Sequence, residues 1–280
     1  AWVKGIHAAI RLSGVRTVIG VVQGDCTYLS TLLDLFAAEG VRFIPFAFPY
    51  AKNRYLLRFE IENLMQQFGV QWDEVRAAKK RLDAVRALAH EIDLRTHRDG
   101  AFSGTENFEA LVNCSDFKGD PERFGEELGR MLAAGGAAPR LPDLRLGLLG
   151  VPGVFTDLFT TLEQFGARVV FHEVPRQFAM PVYSGDLLAQ YTAYTYPYGM
   201  AGRIEDVRRE AAERRLDGLL HYVQSFCHHQ LEDAAWRRAL DLPVLTLEGD
   251  RPGPLDARTR TRLEAFLEML SSRASARERK

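Results

Sequence analysis

Apolar runs of strand length alternate along this chain with segments in which apolar residues return every three or four positions. That alternation predicts βαβ units and a mainly parallel sheet. In the first half, residues 16–22 and 43–48 are rich in β-branched or aromatic side chains and are bounded by Gly or Pro. Between them, residues 28–39 carry leucines and Phe36 at helical spacing and stop at Gly40, a helix C-terminal signal. Residues 1–14 read as an amphipathic helix. Residues 52–98 place Leu, Ile and Val at helical spacing among Arg, Lys and Glu, which predicts two helices broken near Gly69, serving packing and partner contact. Clustered Gly and Pro over residues 133–142 interrupt both periodicities and mark a linker. Strands restart at 144–149, 168–173, 218–223 and 243–247, with helices expected at 155–165, 204–214, 229–240 and 255–270. The polar tail from Ser271 is expected to fray.

The predicted architecture is therefore α/β: two doubly wound parallel-sheet domains with right-handed crossovers, facing a central cleft. The first domain is placed at residues 1–138, with a helical insertion over about 52–134, and the second at 139–280. With 280 residues, the chain has room for two ordinary cores. Its 36 basic and 37 acidic residues are well mixed, which leaves no electrostatic footprint for nucleic acid or anionic lipid. No apolar stretch approaches the ~20 residues needed to span a bilayer, and the expected compartment is the cytoplasm. The chain opens without methionine, directly in a helix-like segment, so residues upstream are expected.

Chemistry enters with the cysteines. Three of them, far apart and with no C-x-x-C pair, make neither a disulfide framework nor a zinc ribbon nor a thioredoxin site. Two of the three repeat a pattern, however. Val22-Gln23-Gly24-Asp25-Cys26 ends one predicted strand and opens a helix, and Val223-Gln224-Ser225-Phe226-Cys227 does the same in the other half. Ligands of open α/β sheets bind outside the carboxyl ends of the strands, and a helix N-terminus there favours thiolate over thiol. Two such thiolates suit iron–sulfur or copper(I) better than calcium or magnesium. An isolated cysteine in this position more often packs a strand end; the repetition of the turn favours a site.

Other residues carry two readings each. Arg251, in Glu248-Gly249-Asp250-Arg251-Pro252, can bind an anion or merely brace its loop with Asp250. His228 and His229 can stabilise the Cys227 thiolate or relay a proton, or simply be solvated. His172 and Glu173 form either an acid–base pair or a satisfied strand end. Tyr191, Tyr194, Tyr196 and Tyr198 close the cleft or pack a dimer face. No G-x-x-x-x-G-K-[ST] or G-x-G-x-x-G loop is present, so ATP and nicotinamide are not expected to bind this chain.

Several segments together resemble a known family. They are Gln23-Gly24-Asp25-Cys26, Pro45-Phe46-Ala47-Phe48-Pro49-Tyr50, Gly150-Val151-Pro152, Tyr194-Thr195-Tyr196-Pro197-Tyr198, Tyr222-Val223-Gln224-Ser225-Phe226-Cys227, and the stretch from Glu248 to Asp256. The chain is similar to the component shared by 2-hydroxyacyl-CoA dehydratases and benzoyl-CoA reductases, most closely to their double-cubane-cluster branch. The resemblance implies an oxygen-sensitive iron–sulfur protein holding a [4Fe–4S] or linked double-cubane cluster. It further implies a low-potential electron from a separate ATP-hydrolysing activator, an acyl-CoA or other small-molecule substrate, and a homodimer or a heterodimer with a paralogous subunit. Cys26 and Cys227 carry over as cluster ligands. Cys114, in Val112-Asn113-Cys114-Ser115-Asp116-Phe117, lies in a similar segment, as a ligand or as a packing residue at a helix end. A further family ligand falls just before Ala1. The leading expectation is a redox enzyme component that passes one electron to a substrate in the cleft. Its rivals are a two-domain small-molecule binding protein whose cysteines only pack and, lower, a zinc or thiol hydrolase, for which no Cys–His–Asp arrangement is apparent.

Overall fold

The computed structural model describes residues 2–24, 26–136, 141–197, 199–225 and 227–278. In chain order its elements are α1 (Trp2–Ser13), β1 (Thr17–Gln23), α2 (Tyr28–Ala38), β2 (Arg42–Ala47), α3 (Arg54–Phe68), α4 (Trp72–Arg98), α5 (Gly104–Val112) and α6 (Pro121–Ala134). There follow β3 (Leu144–Gly150), α7 (Leu158–Gln164), β4 (Ala167–His172), α8 (Glu173–Phe178), α9 (Leu187–Ala193), α10 (Met200–Glu213), β5 (Gly218–Val223), α11 (Glu232–Ala239), β6 (Val244–Glu248) and α12 (Ala257–Glu278). All strand pairs are parallel. The protein is thus α/β, as the alternation of patterns predicts. Helix α12 runs on to Glu278 where fraying is expected from Ser271. The Ser272 hydroxyl donates back to the Glu268 carbonyl at 2.9 Å, and Ala, Arg and Glu in this stretch are good helix formers.

The chain divides into two compact units, Ala1–Lys79 with Val182–Arg203, and Lys80–Pro181 with Ile204–Lys280. This division departs from a single cut at 138/139, for a local reason. Gly135 ends α6 in the left-handed conformation (φ 84°), and Gly136 follows at φ 80° with its backbone pressed on Ala101, so that a Cβ there would lie 1.9 Å from the Ala101 carbonyl oxygen. The Gly–Gly pair is a packed corner within the second unit. Residues 137–140 of the expected linker lie outside the described residues.

In the first unit, β1 and β2 pair from Thr17↔Arg42 to Gln23↔Ala47, and α2 is the crossover between them. Helix α2 buries Leu32, Leu33 and Phe36 against Val3, Ile6 and Ile10 of α1 and against Phe43. Asn53 caps α3, its side chain accepting from the Tyr55 and Leu56 N–H groups, and Gly69 closes it in the left-handed region. The break expected near Gly69 is therefore a helix C-cap.

In the second unit the strand order is β4-β3-β5-β6. In such an order the chain reverses direction across the sheet between β3 and β5, where α/β proteins place their ligands. Alternate residues of these strands, Leu146 and Leu148, Val169, Leu220 and Tyr222, and Leu247, form one core with α7 and α12. A second apolar cluster joins α4, α5 and α6 around Ile92, Phe102, Leu111 and Phe124.

Between these cores lies a buried ionic network that sequence patterning did not reveal. Arg214 forks onto Asp93 of α4 at 2.9 and 2.7 Å, bonds Glu210 at 2.8 Å and donates to the Val170 carbonyl at 2.6 Å. Asn107 also donates to Asp93 (3.0 Å), while Arg176 meets Asp206 and lies 3.6 Å from Glu210. Burial alone pushes the Asp93 carboxyl up, but the charge and hydrogen bonds of Arg214 outweigh it and hold the pKa well below the usual carboxylate range.

Removing one partner of such a network strands the others without water, at about 3–5 kcal/mol. Arg214→Met is therefore expected to lower the urea midpoint at pH 7 by that equivalent. Because Asp93 binds its proton more weakly folded than unfolded, its contribution is full above the unfolded carboxyl pKa of about 4 and is lost as pH falls below it. The wild type should show this acid decline, and Arg214→Met should lose part of it.

Candidate functional site

In both units the repeated turn leaves the carboxyl end of a parallel strand, with backbone crowding at Gly24 in the first and hydrogen bonds at Ser225 in the second. Gln23 ends β1, and its carbonyl accepts the Phe48 N–H at 3.0 Å. Gly24 follows at φ +95°, where a Cβ would lie 2.9 Å from both Phe48 Cβ and Pro197 Cβ. Only glycine fits. Asp25 lies outside the described residues. Cys26 is half-buried and begins the run into α2, its carbonyl accepting the Leu29 N–H at 2.9 Å. Beside this turn Phe48 stacks on Tyr191, and Tyr194 lies against both Phe48 and Tyr196. The tyrosine-rich segment, late in sequence, thus packs within the first unit; Tyr198 lies outside the described residues.

In the second unit the loops after β3, β5 and β6 interlock. Gly150 has φ +87°, and a Cβ there would fall 2.4 Å from the Tyr222 carbonyl oxygen. Its N–H donates to Glu173 at 2.9 Å. The Tyr222 hydroxyl donates to the Gly249 carbonyl, its ring meets Phe155 edge-on, and the Thr156 N–H donates to the Gly253 carbonyl at 2.9 Å. Asp250 accepts from the Ser225 N–H at 2.8 Å, and the Ser225 hydroxyl donates to Glu248 at 2.9 Å. Hydrogen bonding to the Ser225 side chain and backbone N–H lowers the Asp250 pKa. The loop after β6 is therefore a brace for the Cys227 turn, which closes on itself through Cys227 N–H to the Gln224 carbonyl (3.0 Å) and Gln230 N–H to the Cys227 carbonyl (3.1 Å). Phe226 lies outside the described residues.

Cys227 is half-buried and is gathered with His228 and His229, one donor atom from each lying within 4.8 Å of the others. The bracing expected of an Asp250–Arg251 pair is performed by Asp250 on Ser225, and Arg251 is exposed on the same loop. His172 and Glu173 do not form an acid–base pair. Glu173 accepts from Gly150, whereas His172 is enclosed between Phe108 and Phe159, and burial takes its pKa down to about 4.

Cys114 stands apart chemically. It is 2% exposed among Phe117, Phe124 and Leu111, its Sγ donates to the Ala110 carbonyl at 3.4 Å, and burial pushes the thiol up to about 12. That environment matches the packing alternative and disfavours the thiolate a ligand must supply. Sequence reasoning passed over His221, a lone histidine in the apolar run of β5. It is fully buried, with Nδ1 3.2 Å from Asp233, and burial, ahead of the opposing pull of Asp233, lowers its pKa.

An α/β protein of parallel sheets, with an accessible thiol just past a strand's carboxyl end in each unit, belongs to the class that binds its ligand at that edge. The chain matches the family model described as 2-hydroxyglutaryl-CoA dehydratase, D-component, over residues 9–270, and belongs to that family. It is accordingly a component of a dehydratase-type enzyme. Among curated proteins nothing matches it. Among the described residues no helix is long and apolar enough to cross a membrane.

The three thiols are expected to separate on alkylation. In the folded, metal-free protein iodoacetamide should modify Cys26 and Cys227, while Cys114 should react only after unfolding; mass spectrometry of the labelled peptides checks this, and rapid labelling of Cys114 in the folded protein would contradict its placement. Gly24→Ala should destabilise the first turn by about 1–3 kcal/mol through its strained φ and the crowding at Phe48, read as a lowered urea midpoint and faster labelling of Cys26.

Proposed function

We propose that this chain is the iron–sulfur redox component of a 2-hydroxyacyl-CoA dehydratase-type or related reductase system, with Cys26 and Cys227 as cluster ligands. The observation that carries this proposal is the contrast among the thiols. Two are half-exposed just past parallel strands, and the third is sealed in an apolar cluster with its proton firmly held. The first two environments suit metal ligation, and thiolate sulfur is the donor that iron–sulfur clusters require. Membership in the D-component family supports the same assignment.

When bound, the cluster supplies one-electron chemistry; the remaining work falls to the chain. Gly24 and Gly150 let the turns approach neighbouring backbone closely, and the Tyr222–Gly249 and Ser225–Asp250 bonds hold the second turn against movement. Neither unit displays a glycine-rich phosphate loop in its sequence, consistent with nucleotide hydrolysis by a separate ATP-dependent activator that delivers the electron. The substrate is a 2-hydroxyacyl thioester or a comparable small acceptor, for which the exposed Arg251 guanidinium offers an anion contact. A second copy or a paralogous subunit completes the assembly.

Anaerobic reconstitution with iron and sulfide, followed by iron quantification and electron paramagnetic resonance, tests the proposal. The wild type should take up stoichiometric iron, and Cys26→Ser and Cys227→Ser should each lose more than half of it, whereas Cys114→Ala should retain it. A wild-type protein that stays colourless with no bound iron would defeat the assignment.

A further inference from the structure

Helix α3 is apolar on two sides. Leu57, Ile61 and Met65 are its buried residues in the first unit. Phe59 falls about 160° round the helix from the middle of that buried side, with Tyr55 one turn before it and Leu56 alongside. This outer stripe is open to water: Tyr55 is 85% exposed, Phe59 58% and Leu56 54%. Two aromatic rings and a leucine exposed to this degree present roughly 300–400 Å² of apolar side chain, a size at which a surface patch on a single chain is commonly functional. A helix that needed only its own core would carry polar residues here.

The charges beside the stripe suit a copy of the same face. Arg58 and Glu60 stand immediately before and after Phe59, about 100° away in opposite directions round the helix. Arg58 is exposed and bonds Glu62 at 2.8 Å, and Glu62 also accepts from the Trp72 indole N–H at 3.1 Å. Glu60 is half-buried and, among the described residues, in no ion pair. A two-fold axis through Phe59 lays α3 antiparallel on α3 of a second copy, which sets each Arg58 toward the Glu60 of the other chain and Tyr55 opposite Asn63. Helices packed about 8–10 Å apart let such flanking side chains meet across the rim. The formal net charge of −1 opposes self-association only weakly. A standard interface takes about 800 Å² from each partner, somewhat more than half of it apolar, and the stripe supplies most of that apolar part.

We infer that the outer face of α3 is a self-association surface, pairing two copies of this chain about a two-fold axis through Phe59. The face is read from one chain alone; that a second subunit is present rests on the proposed function. Phe59 and Tyr55 leave water at the centre of the contact. Two Arg58–Glu60 pairs at the rim select the antiparallel register, because a shift that aligns like charges is penalised.

Analytical ultracentrifugation of the full, metal-free chain over a range of concentrations is the test. The wild type should sediment at twice the chain mass, and Phe59→Arg should sediment as a monomer with its urea midpoint kept, since the position is exposed. Arg58→Glu sets like charges against each other at the rim and should weaken the dimer by about tenfold or more. Exchanging both charges, Arg58→Glu with Glu60→Arg, should restore it, a rescue that a loss of helix stability would not give. Leu12→Asp, on an exposed position of α1, should leave the dimer intact. A monomeric wild type, a dimer that survives Phe59→Arg, or a double exchange that dissociates as readily as Arg58→Glu alone would overturn the inference. Iron–sulfide reconstitution of the same samples separates the two proposals. A wild type that takes up iron but fails the sedimentation results removes the α3 pairing and leaves the cluster assignment. Dimerisation as expected with no bound iron does the reverse.

Discussion

Backbone crowding at the carboxyl ends of the parallel strands fixes how the chain leaves them. At Gly24 and Gly150 the chain turns away from its strand with positive φ while neighbouring groups lie where a Cβ would have to go. A turn so confined has few alternative conformations, because both the dihedral and the available volume are restricted. Gly24 is so confined at the end of β1, two positions before Cys26 in sequence. Cys227 is positioned by a related device, the loop after β6 held by Tyr222 and in turn holding Ser225 through Asp250.

The second unit has two unlike kinds of interior. One face of the sheet packs leucines and Tyr222 against α7 and α12 in a purely apolar core. Elsewhere in the unit, α4 and α10 are joined through Asp93, Glu210 and Arg214, with the Val170 carbonyl of β4 enlisted as a further acceptor. Burial of so many charges makes sense only because each is met by a partner of opposite sign or a backbone group. Packing in the apolar core is non-directional, whereas the forked Arg214–Asp93 pair is bidentate and directional. It ties a residue at the end of α10 to a residue in α4 that is 121 positions earlier in sequence.

Much of this was legible in the amino-acid order, for identifiable reasons. The strands announce themselves through β-branched and aromatic runs cut off by Gly or Pro, and the V-Q-x-x-C repeat locates two turns because it falls at the carboxyl end of a strand in each unit. The division into units was not legible. Gly135 and Gly136 read as a tether because composition does not show that one of them is pressed against Ala101, and nothing local tells that residues 182–203 pack with the first unit. The Asp93–Arg214 pair escaped for the same reason, since charged residues on helices are usually solvated and only tertiary packing buries these. Of the candidate residues, Cys227, His228 and His229 are close together by sequence adjacency alone, while the bracing role of Asp250 depends on two loops meeting and has no local signature.

The unequal shielding of the sulfurs also sets the order in which air would damage the molecule. Oxidation to sulfenic acid and beyond proceeds through accessible thiolate, and Cys114 offers neither access nor charge. Oxidative injury should therefore fall first on Cys26 and Cys227 at the strand ends while the cluster around Cys114 stays intact. Oxidation confined to those two thiols would leave the apolar packing around Cys114 in place.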